Sequence, residues 1–325
     1  MKKLVVTMGD PGGIGPEVVV RALHSAEVRD ICMPVVIGDS SVIKEMVTLL
    51  NLPLKVRTIE DLKEAKHSKG TIDILDVPAT CSFTKNKPTA EGGKACFSYI
   101  KKAIELTMNK HIEGIVTAPI SKEALKMAGC RWPGHTEMLA DLTGTKDYAM
   151  MLVGGPLRVI LVTIHTALKN VPDLITKQKI LKTIRLAKKA SGMLGMKKPR
   201  IAVAGLNPHA GEAGMFGDDE IKRIIPAIKM AAQEGILVSG PYPPDTVFHK
   251  AYKGEVDIIV CMYHDQGLIP LKMIAFDKGV NVTVGLPFVR TSPDHGTAYD
   301  IAWKGIADPS SMIEAIKLAV RLRSR

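Results

Sequence analysis

Residues 261–309 read CMYHDQGLIPLKMIAFDKGVNVTVGLPFVRTSPDHGTAYDIAWKGIADP. His264, Asp265, Lys272, Asn281, Arg290, Asp294, His295 and Asp300 are spaced by apolar β-branched runs and glycines. A solvated face would scatter such groups among other polar residues. Here the apolar runs read as buried strands, and a charge at the end of a buried strand needs a partner or a ligand. The stretch therefore predicts strands whose ends carry a site for an anionic small molecule.

The same alternation extends through the rest of the chain. Strand candidates fall at 4–7, 35–38, 72–75, 114–117, 149–153, 159–163, 201–204, 258–262 and 281–283. Helix candidates fall at 16–25, 41–50, 90–109, 121–128, 137–143, 176–194, 219–234 and 310–322. Pro16 suits a first helical turn, and Ser121 and Ser310 suit N-caps. Strands alternating with helices imply an α/β fold, mostly parallel sheets flanked by helices. At 325 residues the chain is long enough for two lobes. No repeat, low-complexity linker or lobe boundary is visible.

Composition narrows the function. Hydrophobic residues make up 46% and charged residues 24%, as in a soluble globular protein. The net charge of +11 raises nucleic-acid binding, but aromatics are only 4%, so stacking platforms are scarce. The basic residues spread over amphipathic segments such as 177–198, with a short tail at Arg321, Arg323 and Arg325. Solvated helix faces account for them, and a basic field helps to collect phosphorylated metabolites. Five cysteines, Cys32, Cys81, Cys96, Cys130 and Cys261, form no CxxC pair, so a reducing, cytoplasmic setting is expected. The apolar stretch after Lys2-Lys3 breaks at Gly9-Asp10-Pro11, against a secretory signal. No apolar run approaches bilayer length, so neither a membrane nor a nucleic-acid partner is expected.

Several motifs carry chemistry, each beside a plainer reading. MGDPGGIGPE, at 8–17, follows the first strand and opens a helix. Such a loop can offer backbone N–H groups to an anion, or it can be a tight structural turn. It lacks the third glycine of the Rossmann fingerprint. Of nine histidines, His165, His209 and His264 stand at strand-to-loop junctions, 44 and 55 residues apart. Ligands of α/β sheets sit off the carboxyl ends of the strands, and three neutral imidazoles suit a catalytic divalent metal. The alternative is three buried, hydrogen-bonded histidines. His135 and Thr136, in PGHTE, could bind substrate at a helix N-terminus, or Thr136 could be a cap. Lys272, Asn281 and Arg290 could clamp a phosphate or carboxylate, or form ordinary ion pairs.

Together these segments resemble the 4-hydroxythreonine-4-phosphate dehydrogenase family of vitamin B6 biosynthesis, over essentially the whole chain. The carriers are TMGDPGGIGPE, VTAPISKEAL, PGHTEMLADLTG, GLNPHAGEAGMFGDDE, MYHDQGLIPLK and NVTVGLPFVRTSPDHGTAYDIA. GGIGPE and HGTAYDIAWKGIADP are also similar to segments of isocitrate and isopropylmalate dehydrogenases, which bind NAD without a Rossmann fingerprint. The resemblance implies a two-lobed, isocitrate/isopropylmalate dehydrogenase-like fold with the active site in the cleft between the lobes. It implies that His165, His209 and His264 ligate one divalent metal, whether Zn, Mg, Co or Mn. His135, Thr136, Lys272, Asn281 and Arg290 would hold a phosphorylated hydroxy acid. His295, Gly296 and Asp300 would bind NAD, and Asp245, in GPYPPDTVF, would lie near the reacting carbon, with His135 as a second catalytic candidate. A homodimer with shared active sites is implied as well.

The implied reaction is oxidation of 4-phosphooxy-L-threonine at its 3-hydroxyl by NAD, then decarboxylation to 3-amino-2-oxopropyl phosphate. Ser121 and Trp303 depart from the pattern of many relatives. A Trp at the second position resembles a branch acting on D-threonate or D-erythronate 4-phosphate, which is the alternative substrate class. A non-catalytic metabolite or nucleic-acid binder is the alternative of a different kind.

Overall fold

The computed structural model of the chain describes residues 1–79, 82–109 and 112–323. Cys81 and Arg325 lie outside the described residues. Two compact units form, Met1–Lys146 with Leu286–Arg325, and Asp147–Gly285. This boundary is what the sequence did not disclose: no composition change marks Lys146 or Leu286.

In the first unit, β1 (Lys2–Thr7) leads to α1 (Gly15–His24) and α2 (Ala26–Arg29). β2 (Cys32–Gly38), α3 (Ser40–Leu49), β3 (Lys55–Ile59), β4 (Thr71–Asp76) and α4 (Ala90–Met108) follow. β5 (Gly114–Thr117), α5 (Lys122–Met127) and α6 (His135–Leu142) complete its first segment. The second unit holds β6 (Ala149–Gly154), β7 (Leu157–Leu161), α7 (Val171–Leu174), α8 (Lys177–Met193) and β8 (Ile201–Ala204). It continues through α9 (Ile225–Gln233), β9 (Val238–Tyr242), α10 (Pro244–Tyr252), β10 (Ile258–Cys261), α11 (His264–Ala275) and β11 (Val280–Val284). The chain returns to the first unit with β12 (Val289–Pro293) and α12 (Ser310–Arg321).

The first unit's strands run β3-β4-β2-β1-β5-β12, and each neighbouring pair is parallel. Buried on both faces, β1 and β5 need the continuous apolar runs Leu4-Val5-Val6 and Ile115-Val116 that the sequence supplies. The second unit's order is β11-β6-β7-β10-β8-β9. β7, β10, β8 and β9 are parallel, while β6 pairs antiparallel with both β11 and β7. The sheets are thus mostly parallel, as expected.

Five elements of ordinary length depart from the sequence reading. β3 (KVRTI) and β9 (VSGPY) end their strand orders, and edge strands tolerate charges and a proline. β12 (VRTSP) hides Arg290, Thr291 and Ser292 in the interior, so its pattern imitates a loop. α10 starts inside a proline run, and α11 carries Gly267 and Pro270. Gly267 suits close packing: a Cβ there would lie 3.1 Å from Cys261 Sγ and 3.2 Å from a Leu161 methyl, so those side chains would have to shift. Of the proposed caps, Ser121 holds, its Oγ accepting from Ala124 N at 3.1 Å. Thr136 is not a cap, because α6 begins at His135 with Gly134 at the cap position. Ser310 falls inside α12, capped instead at Pro309.

Candidate active site

Three neighbouring parallel strands deliver the three histidines. β7 pairs with β10 and β10 with β8, so their carboxyl ends lie side by side. His165 follows β7, His264 opens α11 after β10, and His209 follows β8. The exits are tied together by buried polar groups. Thr163 Oγ1 donates to Met262 O at 2.7 Å, joining the exits of β7 and β10. Buried Gln266 accepts from Met262 N at 2.6 Å and donates from Nε2 to Gly205 O at 2.7 Å, joining β10 to β8. Gln266 escaped the sequence reading because one amide in HDQG has no periodic signature.

None of the three is a buried core histidine: His165 and His209 are exposed, and His264 is half-buried. The rings of His165 and His264 are 5.6 Å apart between centroids. Two imidazoles on one ion, each at roughly 2 Å through nitrogen, place their ring centres roughly 5–6 Å apart, so this pair fits a shared divalent cation. His264 Nδ1 lies 2.7 Å from Asp265 Oδ1. With Nδ1–H donating there, the Nε2 lone pair is left for an ion, the usual carboxylate–histidine support. Among the described residues, no group of three or more His, Cys, Asp or Glu side chains converges tightly enough to hold an ion. His209 is therefore not gathered with the other two within one chain. Beside the pair, Ile164, His165, Tyr263, His264 and Asp265 help line a cavity of about 240 Å³.

His209 sits in an unusual turn. His209 (φ 52°), Ala210 (φ 54°), Gly211 (φ 83°), Glu212 (φ 39°) and Ala213 (φ 54°) are all left-handed. Only Gly211 adopts this without strain; at about 1–2 kcal/mol per residue, the other four store roughly 4–8 kcal/mol. Strain of this size persists only where the surroundings over-determine the backbone.

The first unit carries the anion-binding candidates. Arg290, in β12, is 1% exposed and donates from Nη2 to Thr117 Oγ1, at the end of β5, over 2.7 Å. Burial pushes its guanidinium down to about 9, partly offset by Glu137. His135 opens α6 next to buried Thr136. Burial, then the Arg290 charge, holds its imidazole well below the ordinary histidine range, so it is neutral near pH 7. His135 Nε2 and Thr7 Oγ1 are buried without a hydrogen-bond partner. Thr7 and Thr117 are register partners on adjacent strands, which sets both hydroxyls on one sheet face with Arg290 bound to one of them. Neither threonine stood out in sequence, because strand interiors commonly carry threonine.

In the second unit, Asn281 lies in β11 with a buried, unpartnered Oδ1. Lys272 lies on α11, not at a strand end, with Nζ 5.7 Å from the Phe276 ring. Asp245 is exposed in the first turn of α10.

The glycine-rich loop is no anion cradle. Residues 8–20 are all buried, and several of the loop's N–H groups are bonded within the protein. Gly12 N donates to Asp10 Oδ1 (2.9 Å), Gly13 N to Asp10 O (3.1 Å) and Ile14 N to Thr297 O (2.9 Å). The loop is fastened to the segment 297–307. Tyr299 Oη donates to Asp10 Oδ2 at 2.7 Å, Trp303 Nε1 to Pro11 O at 3.0 Å, and Ala307 N to Glu17 Oε1 at 2.7 Å. Burial raises the Asp10 carboxyl, opposed by the bonds from Tyr299 and Gly12. Of the two departures from the family pattern, Trp303 serves this joint: at φ 60°, it packs under Lys85. His295, Gly296 and Asp300 face solvent, and a Cβ on Gly296 would meet nothing within 4 Å.

The family described as "Pyridoxal phosphate biosynthetic protein PdxA" matches residues 30–319. The chain belongs to the PdxA family. It is 50% identical over 317 residues to the 4-hydroxythreonine-4-phosphate dehydrogenase of Desulforapulum autotrophicum, covering 97% of this chain and 93% of the relative. It is 46% identical over 324 residues to the D-threonate 4-phosphate dehydrogenase of Salmonella typhimurium, covering 99% of each. The crystal structure of a 4-hydroxythreonine-4-phosphate dehydrogenase from Klebsiella pneumoniae superposes with a TM-score of 0.91 at 43% identity, covering 98% of both chains. A β-decarboxylating dehydrogenase from Thermococcus kodakarensis shares the fold alone, at TM-score 0.52 and 17% identity, covering 97% of this chain and 82% of that one. This PdxA-family chain is a dehydrogenase, and no helix among its described residues is long and apolar enough to cross a membrane.

Proposed function

We propose that this PdxA-family enzyme oxidises 4-phosphooxy-L-threonine at its 3-hydroxyl with NAD and decarboxylates the product to 3-amino-2-oxopropyl phosphate, in pyridoxal 5'-phosphate biosynthesis. The observation that carries the reading is the His165–His264 pair, one exposed and one half-buried, at 5.6 Å with Asp265 beside His264. His165 and His264 would hold a divalent cation, with His209 as third ligand. When bound, the cation acidifies the substrate hydroxyl and stabilises negative charge on the same oxygen after carbon dioxide leaves. NAD takes the hydride.

The chain's own residues bind and orient. Arg290 offers a desolvated fork to an anionic end of the substrate, and Thr136 and Asn281 offer shorter polar contacts. His135, held neutral, serves better as a hydrogen-bonding group than as a strong base. Asp245, an exposed carboxylate, is the better candidate to take the hydroxyl proton. The substrate is fixed at both ends, so positioning supplies much of the rate.

A homodimer belongs to this reading. On α11 and just beyond it, Ile269, Met273 and Phe276 are 60%, 83% and 74% exposed beside Lys272. Such an apolar face suits a second copy, which would receive Lys272 in its own site. The four free cysteines among the described residues suit the cytoplasm.

The deciding experiment measures NADH formation with phosphorylated 4-hydroxythreonine, D-threonate 4-phosphate and D-erythronate 4-phosphate. The expected result is the highest kcat/KM for the first. Preference for either sugar acid would move the enzyme to the D-threonate branch, whose Salmonella typhimurium member is 46% identical. For the cofactor, NAD is expected to beat NADP by more than about tenfold. Asp300 would accept from ribose hydroxyls and repel a 2'-phosphate, at about 4 kcal/mol for a pair at ~4 Å and dielectric ~20 before screening. Asp300→Asn should narrow the ratio, and equal use of both cofactors by the native enzyme would sink this assignment.

A further inference from the structure

We propose that Glu220 is a positioning residue for His209: its buried carboxylate holds the left-handed turn 209–213 in the backbone conformation that presents the imidazole to a divalent cation. Glu220 is 2% exposed and lies just before α9, at the start of the π-helical turn Glu220–Ile224. Its Oε1 accepts from Leu206 N and Asn207 N, each at 2.8 Å, and its Oε2 accepts from Asn207 Nδ2 at 3.1 Å. Those donors lie on the segment that enters the turn. Oε2 also lies directly under the turn, 2.6 Å from where a Cβ on Gly211 would stand. Position 211 must therefore be glycine twice over, for its φ of 83° and for the carboxylate beneath it.

Left to itself, a segment His-Ala-Gly-Glu-Ala would not choose five successive left-handed residues. The carboxylate beneath supplies the missing preference. π-Helical turns and backbone strain of this kind gather at functional sites. The turn serves an exposed histidine, so the strain supports no core packing at that residue. The inference rests on the reading of His209 as a metal ligand and adds the residue that aims it.

Glu220→Gln keeps the shape but has one acceptor oxygen for three N–H donors. Flipping the Asn207 amide to compensate would break its 3.2 Å contact with Asp219 Oδ2. The measurement is the Zn²⁺ dissociation constant of the full-length protein, by competition with a chromophoric chelator, with thermal unfolding alongside. Expected is Zn²⁺ binding at least tenfold weaker in Glu220→Gln, no weaker than in His209→Ala. Adding Ala210→Gly and Ala213→Gly to Glu220→Gln should recover most of the loss, because glycine takes the left-handed conformation freely. A merely structural Glu220 would lower the melting temperature and leave the Zn²⁺ affinity of the folded protein unchanged. That result, or a loss that the glycines do not recover, overturns the inference while the metal reading stands. A native protein that binds no Zn²⁺ overturns both. If Glu220→Gln does not fold, Asn207→Ala removes the Oε2 partner, along with the contact to Asp219 Oδ2, keeps both backbone donors to Oε1, and should weaken Zn²⁺ in the same direction.

Discussion

The glycine-rich loop at 8–17 and the strand exits around His165, His209 and His264 both offered a ligand site in sequence, and they differ sharply in structure. The loop has the look of a ligand cradle, yet it is buried and its N–H groups are spent on Asp10 and Thr297. The exits read as a metal site or as three buried histidines, and they hold two exposed imidazoles and a half-buried one, a strained turn and a buried amide clamp. Glycine density reports close backbone approach, whatever does the approaching. In the loop the approaching group is the protein's own chain: a Cβ on Gly13 would lie 2.9 Å from Thr297, and one on Gly15 would lie 2.3 Å from Met8 O.

The sharpest way to break this contrast is Gly15→Ala. A methyl against a main-chain oxygen cannot be relieved by a rotamer change, so a loss of about 3 kcal/mol or more is expected, up to failure to fold. Chemical denaturation measures it, and a stable variant with impaired NAD binding would return the loop to the cofactor. Next comes His209→Ala, which should keep the melting temperature within a few degrees and lose metal. Its fall in kcat/KM should exceed the roughly 10–100-fold typical of an outer-shell change. Full turnover after exhaustive chelation would remove the metal from the mechanism.

Arg290→Lys should follow, at about 10–100-fold in kcat/KM, or ~1.4–2.8 kcal/mol, because a bidentate fork becomes a point charge. Unchanged kinetics there would confine Arg290 to its bond with Thr117. The smallest effect is on pH dependence, through His135. Its folded-state value lies below the ordinary 6.5, so the unfolded chain takes up the proton first as pH falls. Stability from this group is complete above about pH 6.5 and declines below it, by at most about 1.4 kcal/mol per pH unit. His135→Gln should flatten that acid limb in urea titrations between about pH 6.5 and 5. An unaltered limb would place the titrating group elsewhere.

The contrast also shows what was legible. β1, β5, β8 and β10 announced themselves as short β-branched runs, because a strand buried on both faces has no polar face to confuse the pattern. α11 did not, since Gly267 and Pro270 interrupt it for reasons that lie in the strands beneath. Arg290 was found as a charge after an apolar run, but it lies within β12 rather than at the end of a strand. Thr117, Glu220 and Gln266 were not found, because each bonds to a partner in another element of the fold, and Thr7 was not, because strand interiors commonly carry threonine. Gln266 Nε2 reaches Gly205 across 61 positions. Pair interactions of that kind have no local periodicity to detect.

The Gln266 clamp has a consequence for motion. A loop amide normally exchanges its hydrogen with water through small local openings. Met262 N–H is instead held by a buried side chain that also grips the exit of the neighbouring strand. Freeing it means breaking a bond to a side chain that is itself anchored on the exit of β8, so it should exchange more slowly than an ordinary loop amide. Under the proposed metal reading, an ion would meet a rim already held in place from below.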